Sequence, residues 1–161
     1  MKSIILIFVG FVIGIGVALL LFIKIFPSQM ILTRESMFGM DETVEMIDKQ
    51  ADENGWAVAK IWDMTERMEK AGFEDSPAVK VLELCHAENS YNVLKNEEDM
   101  FISAIMPCRM AVYEYDNGKT FISRMNIGLV SRFFSPNVRS VMKGVADDDE
   151  KILDGIIKAA E

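Results

Sequence analysis

Residues 4–23 carry no charged side chain, and this run constrains the fold more than any other feature of the chain. At a rise of about 1.5 Å per residue, a helix of this length spans about 30 Å, the hydrocarbon thickness of a bilayer. A secretory signal peptide has an apolar region of about 7–15 residues and ends in a small-residue cleavage site. The stretch Ile23-Lys24-Ile25-Phe26-Pro27 offers no such site. Residues 1–27 therefore read as an uncleaved transmembrane anchor in contact with membrane lipid, with Pro27 ending the helix. Gly10, Gly14 and Ala18 recur at every fourth position and place small side chains on one stripe. Such a stripe lets a second copy or a membrane-protein partner approach closely, although glycine is common in transmembrane helices for other reasons. Lys2 with the amino terminus stands on one side of the run, and Lys24 with Arg34 on the other, so the positive-inside count is a tie. A short tail ahead of a first anchor fits a head carried to the outer, periplasmic face.

The remainder of the 161-residue chain has room for one domain. All 25 carboxylates lie at or after Glu35, and removing Lys2 and Lys24 from the 17 basic residues leaves 15, a net charge of −10 on the head. Such a field repels nucleic acid and anionic headgroups, which excludes a nucleic-acid partner.

Along the head, residues 29–36 read as a first strand. Asp41 reads as the cap of a helix carrying Val44, Ile47 and Ala51 on one face, stopped by Asn54-Gly55. Residues 56–63 form a second strand, with Trp56, Val58, Lys60 and Trp62 on one face by alternation. A short helix follows at 65–70, and residues 79–85 are apolar enough for a central strand. The stretch then turns helical from Ala87, so Cys85 and His86 stand where strand becomes helix. Residues 109–115 and 119–125 flank Asn117-Gly118, the dipeptide favoured in two-residue hairpin turns. That turn pairs Tyr115 with Thr120, Tyr113 with Ile122 and Met110 with Met125. Residues 127–134 read as an apolar connector, Ser135-Pro136 as a cap and first helical position, and Asp147 as the start of the last helix. The pattern predicts an α/β (α+β) two-layer sandwich of about five strands with helices on one side. The head divides into a domain over 28–135 and C-terminal helices over 136–161 that pack on it or extend it.

Three stretches carry a family resemblance: Asp41-Glu42-Thr43-Val44, Leu82-Glu83-Leu84-Cys85, and Met106-Pro107-Cys108-Arg109-Met110-Ala111-Val112-Tyr113-Glu114. Over about residues 30–130 the chain resembles the family catalogued as domain of unknown function 302. The resemblance implies a small α/β domain of a dimeric fold with helices on one side of a sheet, and it makes both cysteines family positions. Where relatives commonly have Asn-Pro after the first cysteine, this chain has His86-Ala87, so His86 inherits no family role.

Cys85 ends one strand and Cys108 enters another, and ligands of α/β sheets usually bind beyond strand ends. His86, Met106, Met110 and Arg109 complete the candidate site. By alternation, Met106, Cys108 and Met110 share one face and Arg109 points to the other. Thiolate, imidazole and thioether donors suit copper(I) or haem iron, and Cys85, Cys108 and His86 are the metal-ligand candidates. No Cys-x-x-Cys pair or Cys-x-x-Cys-His haem-attachment motif is present. Thiol-redox chemistry needs the two cysteines in bridging range or one thiol activated by a cation or helix terminus. Hydrolysis is disfavoured, since adjacent strand residues point opposite ways and His86 is badly placed to serve Cys85 as a base. Core packing is the competing explanation, because buried cysteine acts as a small hydrophobe and methionine fills gaps. The expectation is a membrane-anchored, non-catalytic accessory or binding domain, a subunit or partner of a membrane complex. The alternative is a thiol-redox or metal/haem centre on Cys85 and Cys108, with Arg109 holding an anion or tuning the thiolate.

Overall fold

The computed structural model describes residues 2–159, with the side chains of residues 2–9, 12 and 13 outside the description. A 28-residue helix, α1 (Lys2–Gln29), leads directly into the head. Pro27 lies inside its last turn rather than ending it: so near the terminus, the missing N–H removes one intrahelical bond and the chain completes the turn. Among the described residues no helix is long and apolar enough to cross a membrane. In α1 the described side chains run without a break only from residue 14 to 29, so the uncharged run of 4–23 is covered in part. The transmembrane anchor expected for residues 1–27 therefore gains no support from the described side chains.

The head is an α+β fold built on one five-stranded antiparallel sheet. Its strands are β1 (Ile31–Glu35), β2 (Ala57–Asp63), β3 (Val79–Cys85), β4 (Cys108–Glu114) and β5 (Thr120–Met125), in the order β1-β5-β4-β3-β2. Its helices are α2 (Met40–Glu53), α3 (Met64–Lys70), α4 (Ala87–Leu94), α5 (Ile127–Val130) and α6 (Pro136–Leu153), with a 3-10 segment at Glu97–Ile105. One face of the sheet contributes Leu82, Leu84, Met110, Val112 and Ile122 to the core. Against them pack Ile47 and Ala51 of α2, Val93 of α4, and Val138, Val145 and Ile152 of α6. The helices are amphipathic at the spacing this burial requires, and removal of these side chains from water is the main stabilising term.

Several local expectations shift by a residue or a turn. Helix α2 begins at Met40 with Gly39 as its cap residue, so Asp41 lies in the first turn, where it pairs with Lys80 at 2.6 Å. In β2 the register slips between Val58 and Lys60, leaving Ala59 as the extra residue of a bulge. The bulge flips the alternation, so Trp56 and Val58 lie on the core face. Lys60 and Trp62 lie on the other, with the Lys60 ammonium 3.7 Å from the centre of the Trp62 ring.

The hairpin pairs Glu114 with Thr120, Val112 with Ile122 and Met110 with Arg124, one residue away from the register of a two-residue turn. Its loop takes three residues, 116–118. The Gly118 N–H donates to the Tyr115 carbonyl at 2.9 Å and the Tyr115 N–H donates to the Lys119 carbonyl at 3.0 Å. Gly118 alone in this loop has a positive φ, +74°, so the turn is a type I turn closed by a glycine bulge. A one-residue slip exchanges the faces of a strand, and here it places Arg124 rather than Met125 opposite Met110 in the core.

Helix α6 is a single 18-residue element from Pro136, not a new helix at Asp147. The Ser135 hydroxyl accepts from the Val138 N–H at 3.2 Å and donates to Asp99 at 2.7 Å. Asn137 donates to the same carboxylate at 2.8 Å. These bonds hold the Asp99 carboxyl below its ordinary range, the Ser135 bond foremost. Cap and proline therefore start α6 where residue order predicts, and nothing interrupts it at 147–150.

Candidate functional site

The β4–β5 ladder stops at the Met110–Arg124 pair, while β4 begins at Cys108 and β5 continues to Met125. At this splayed end lies a cavity of about 390 Å³. Its apolar wall includes Met106, Met110, Ile127, Val130, Phe134 and Met142, and its polar groups include Cys108, Arg124 and Asp149. A second cavity of about 350 Å³ shares Met106, Pro107, Cys108 and Met142 with the first and continues to Trp56, Cys85 and His86.

Arg124 is 6% exposed, a rare burial for a guanidinium. One of its terminal nitrogens donates to Glu150, while the other, Nη1, is buried without a hydrogen-bond partner among the described residues. Asp149, one residue before Glu150, is 5% exposed and lines the same cavity. Burial pushes its carboxyl up to about 7 despite the attraction of Arg124, and the neighbouring Glu150 and Asp148 add to the rise. The run Asp148-Asp149-Glu150 thus has three separate tasks. Asp148 accepts from the Trp56 indole at 3.3 Å, Asp149 faces the cavity, and Glu150 meets Arg124 at the rim.

Both cysteines are free. Cys108 stands directly opposite Leu84 on β3, one position from Cys85. The Cys108 thiol is raised to about 12, by burial first, then by Asp149 and by Cys85. It is therefore a protonated thiol at neutral pH, the reverse of an activated nucleophile. Cys85 touches the Ser90 hydroxyl at 3.8 Å.

His86 is a capping residue. Its Nδ1 accepts from the Asn89 N–H at 3.3 Å at the start of α4, and its ring lies edge-on to Trp56 with 5.3 Å between centres. With Nδ1 accepting, the proton of the neutral ring belongs on Nε2. Arg109 lies on the face of the sheet away from the helices, where it pairs with Glu83 at 3.1 Å across β3 and β4. The structure thus brings Cys85, His86, Cys108 and Met106 around one cavity and Met106, Cys108 and Met110 around the other. Arg109 also lines the latter, with its guanidinium paired to Glu83. Among the described residues no group of three or more His, Cys, Asp and Glu is placed to hold a metal ion.

The family model described as Domain of unknown function DUF302 matches residues 32–160. The chain belongs to this family. The match reaches past the stretch that carries the recognisable motifs and takes in α6, which supplies Asp149 and Glu150. A solved relative, the uncharacterized conserved protein DUF302 from Bacillus stearothermophilus, superposes with a TM-score of 0.69 at 24% identity. The alignment covers 78% of this chain and 96% of that one, and it supports the fold alone. No curated protein matches the chain significantly.

Within this DUF302 domain the polar centre that residue patterns missed is Arg124 with Asp149. Two signals mark it. Arg124 shares its strand face with Ile122, and Asp149 sits four residues after Val145 and three before Ile152 on the buried side of α6.

The displaced Asp149 carboxyl makes stability depend on pH. Above about pH 4 the unfolded chain has lost this proton, while the folded chain keeps it until about 7. Folding then takes up a proton, so stability falls with rising pH between these values and levels off above them. The rise from 3.8 to about 7 corresponds to roughly 4 kcal/mol as an upper bound. Asp149→Asn is expected to flatten the slope of unfolding free energy between pH 4 and 7, measured by denaturant titration, and to raise stability at pH 8. An unchanged slope would place the carboxyl in an ordinary environment.

Proposed function

We propose that the chain is a membrane-anchored, non-catalytic binding domain, an accessory unit that holds its ligand or partner next to the bilayer. The observation that carries this reading is α1. Its described apolar side chains stay open, with Phe11, Leu20 and Ile23 each 64–65% exposed, and contiguous exposed apolar surface of this kind marks a membrane or protein contact. A bilayer covers it at the length that 20 uncharged residues provide. The stripe of Gly10, Gly14 and Ala18 is the surface for a second copy or a membrane-protein partner, and the short amino-terminal tail favours an outer-face head. Alkaline carbonate is expected to leave the full chain in the membrane fraction and mild detergent to release it. Release by carbonate alone would refute the anchor.

The head's binding role is supported by the cavity. An arginine only donates hydrogen bonds, the protonated Cys108 thiol is a weak donor, and an Asp149 carboxyl near 7 gains an O–H donor in its neutral form. Donors of this kind above an apolar wall select a ligand with an acceptor oxygen at one end and an apolar body, for which octanoate is a simple probe. Octanoate is expected to bind the full chain in neutral detergent more tightly than octylamine. Arg124→Lys, which keeps the charge but loses the second terminal nitrogen, is expected to weaken octanoate about tenfold, as for a charged hydrogen bond of about 1.5 kcal/mol. Equal binding of acid and amine would remove the support.

The thiol-redox and metal or haem alternatives have less support. A thiolate is both the nucleophile and the metal ligand, and Cys108 is displaced away from that form. The acceptor nitrogen of His86 is engaged at the cap, and the Arg109 guanidinium that would tune a thiolate is paired with Glu83.

A further inference from the structure

Eight of the 15 basic residues of the head form ion pairs with carboxylates among the described residues, from Lys49–Glu53 to Lys158–Glu35. Arg132, Arg139 and Lys143 form none of these pairs. They lie together along one side of a groove of about 1160 Å³, between the carboxyl-terminal half of α1 and the α5–α6 region. This volume exceeds the roughly 300–1,000 Å³ of ordinary small-molecule pockets. Arg139 and Lys143 are one helical turn apart on α6, and the Arg139 guanidinium donates to the Arg132 carbonyl at 2.5 Å, which draws the two arginines to one place. The acid within the groove is Asp147, a turn beyond Lys143.

The facing wall is apolar. Leu21, Phe22 and Ile25 of α1 line the groove and are each 53–55% exposed, and Phe26 closes its end against the Phe133 ring at 5.5 Å between centres. Three cations on one side and an uncovered apolar helix on the other match a molecule with an anionic head and hydrocarbon tails. We infer that this groove binds an anionic phospholipid, with its phosphate at Arg132, Arg139 and Lys143 and an acyl chain along α1. Guanidinium groups meet phosphate oxygens in pairs, which adds geometric fit to charge. The net charge of −10 on the head opposes such a lipid at long range. Screening confines that repulsion to about 8–10 Å, so the local cations decide the contact.

The inference rests on the anchored reading, and its test separates the two. Full-length protein in neutral detergent is titrated with phosphatidylglycerol, with phosphatidylcholine and with inorganic phosphate, followed by native mass spectrometry. Phosphatidylglycerol is expected to bind about tenfold tighter than phosphatidylcholine or more. The combined variant Arg132→Gln, Arg139→Gln, Lys143→Gln is expected to bring the two lipids to equal affinity while leaving the melting temperature unchanged. The single variant Lys143→Gln should lower the preference part-way. A chain that resists carbonate yet shows equal lipid affinities, or keeps its preference in the triple variant, overturns the lipid site and leaves the anchor standing. Displacement of phosphatidylglycerol by an equal concentration of inorganic phosphate assigns the groove to free phosphate and also overturns it. Release of the chain by carbonate overturns both.

Discussion

A guanidinium turned into a protein core must find acceptors there, and Arg124 imposes that demand on the wide end of the hairpin. Its position follows from the three-residue loop ending in Gly118, which sets the register that sends Arg124 inward opposite Met110. Once it is inside, Glu150 of α6 meets it at the rim, and the buried Asp149 attracts it without a direct hydrogen bond. Removing one member of such a group leaves another charge dry, a far larger cost than the pair itself contributes. This locks β5 and α6 together and explains why the acidic run of 147–150 stands late in a continuous helix, where the dipole alone would disfavour it.

Much of the architecture is legible in the residue pattern because it depends on periodicity. The five strands, the amphipathic face of α2 and the Ser135-Pro136 start all follow from local chemistry, whereas the continuity of α6 through 147–150 does not. The details that position the site depend instead on one-residue choices. Asn117-Gly118 suits both a two-residue turn, in which both residues take a positive φ, and a three-residue loop that begins at Asp116 and needs it only at Gly118. The Ala59 bulge has no signature of its own, since alanine is not a bulge residue by preference. His86 and Arg109 drew notice by being unusual in their neighbourhood, yet their partners, the Asn89 amide and Glu83, give them structural tasks. The cavity's deciding residues were hidden because Arg124 and Asp149 looked like ordinary surface charges on an acidic head.

An exposed apolar helix and an acidic head meet at the α1 junction. The helix presents exposed apolar side chains, the head carries a net negative charge, and the strip between them holds three cations beside an apolar wall. In the proposed anchored arrangement the basic groove is the part of the head next to the bilayer. The cavity at the hairpin end is walled in part by α5 and neighbours the groove through Ser131, which lines both. A ligand with an acceptor head and an apolar body would thus bind close to the surface from which such molecules come.

The burial of the Asp149 carboxyl beside Arg124 is the claim on which the site depends most directly. Carbon-13 NMR of the aspartate carboxyl groups, with Asp149 assigned by its loss in Asp149→Asn, measures its titration in the folded protein. The account predicts a midpoint of about 7. A midpoint at the ordinary value of 3.8 would mean that the carboxyl meets water, and the buried centre at the end of the hairpin would not exist.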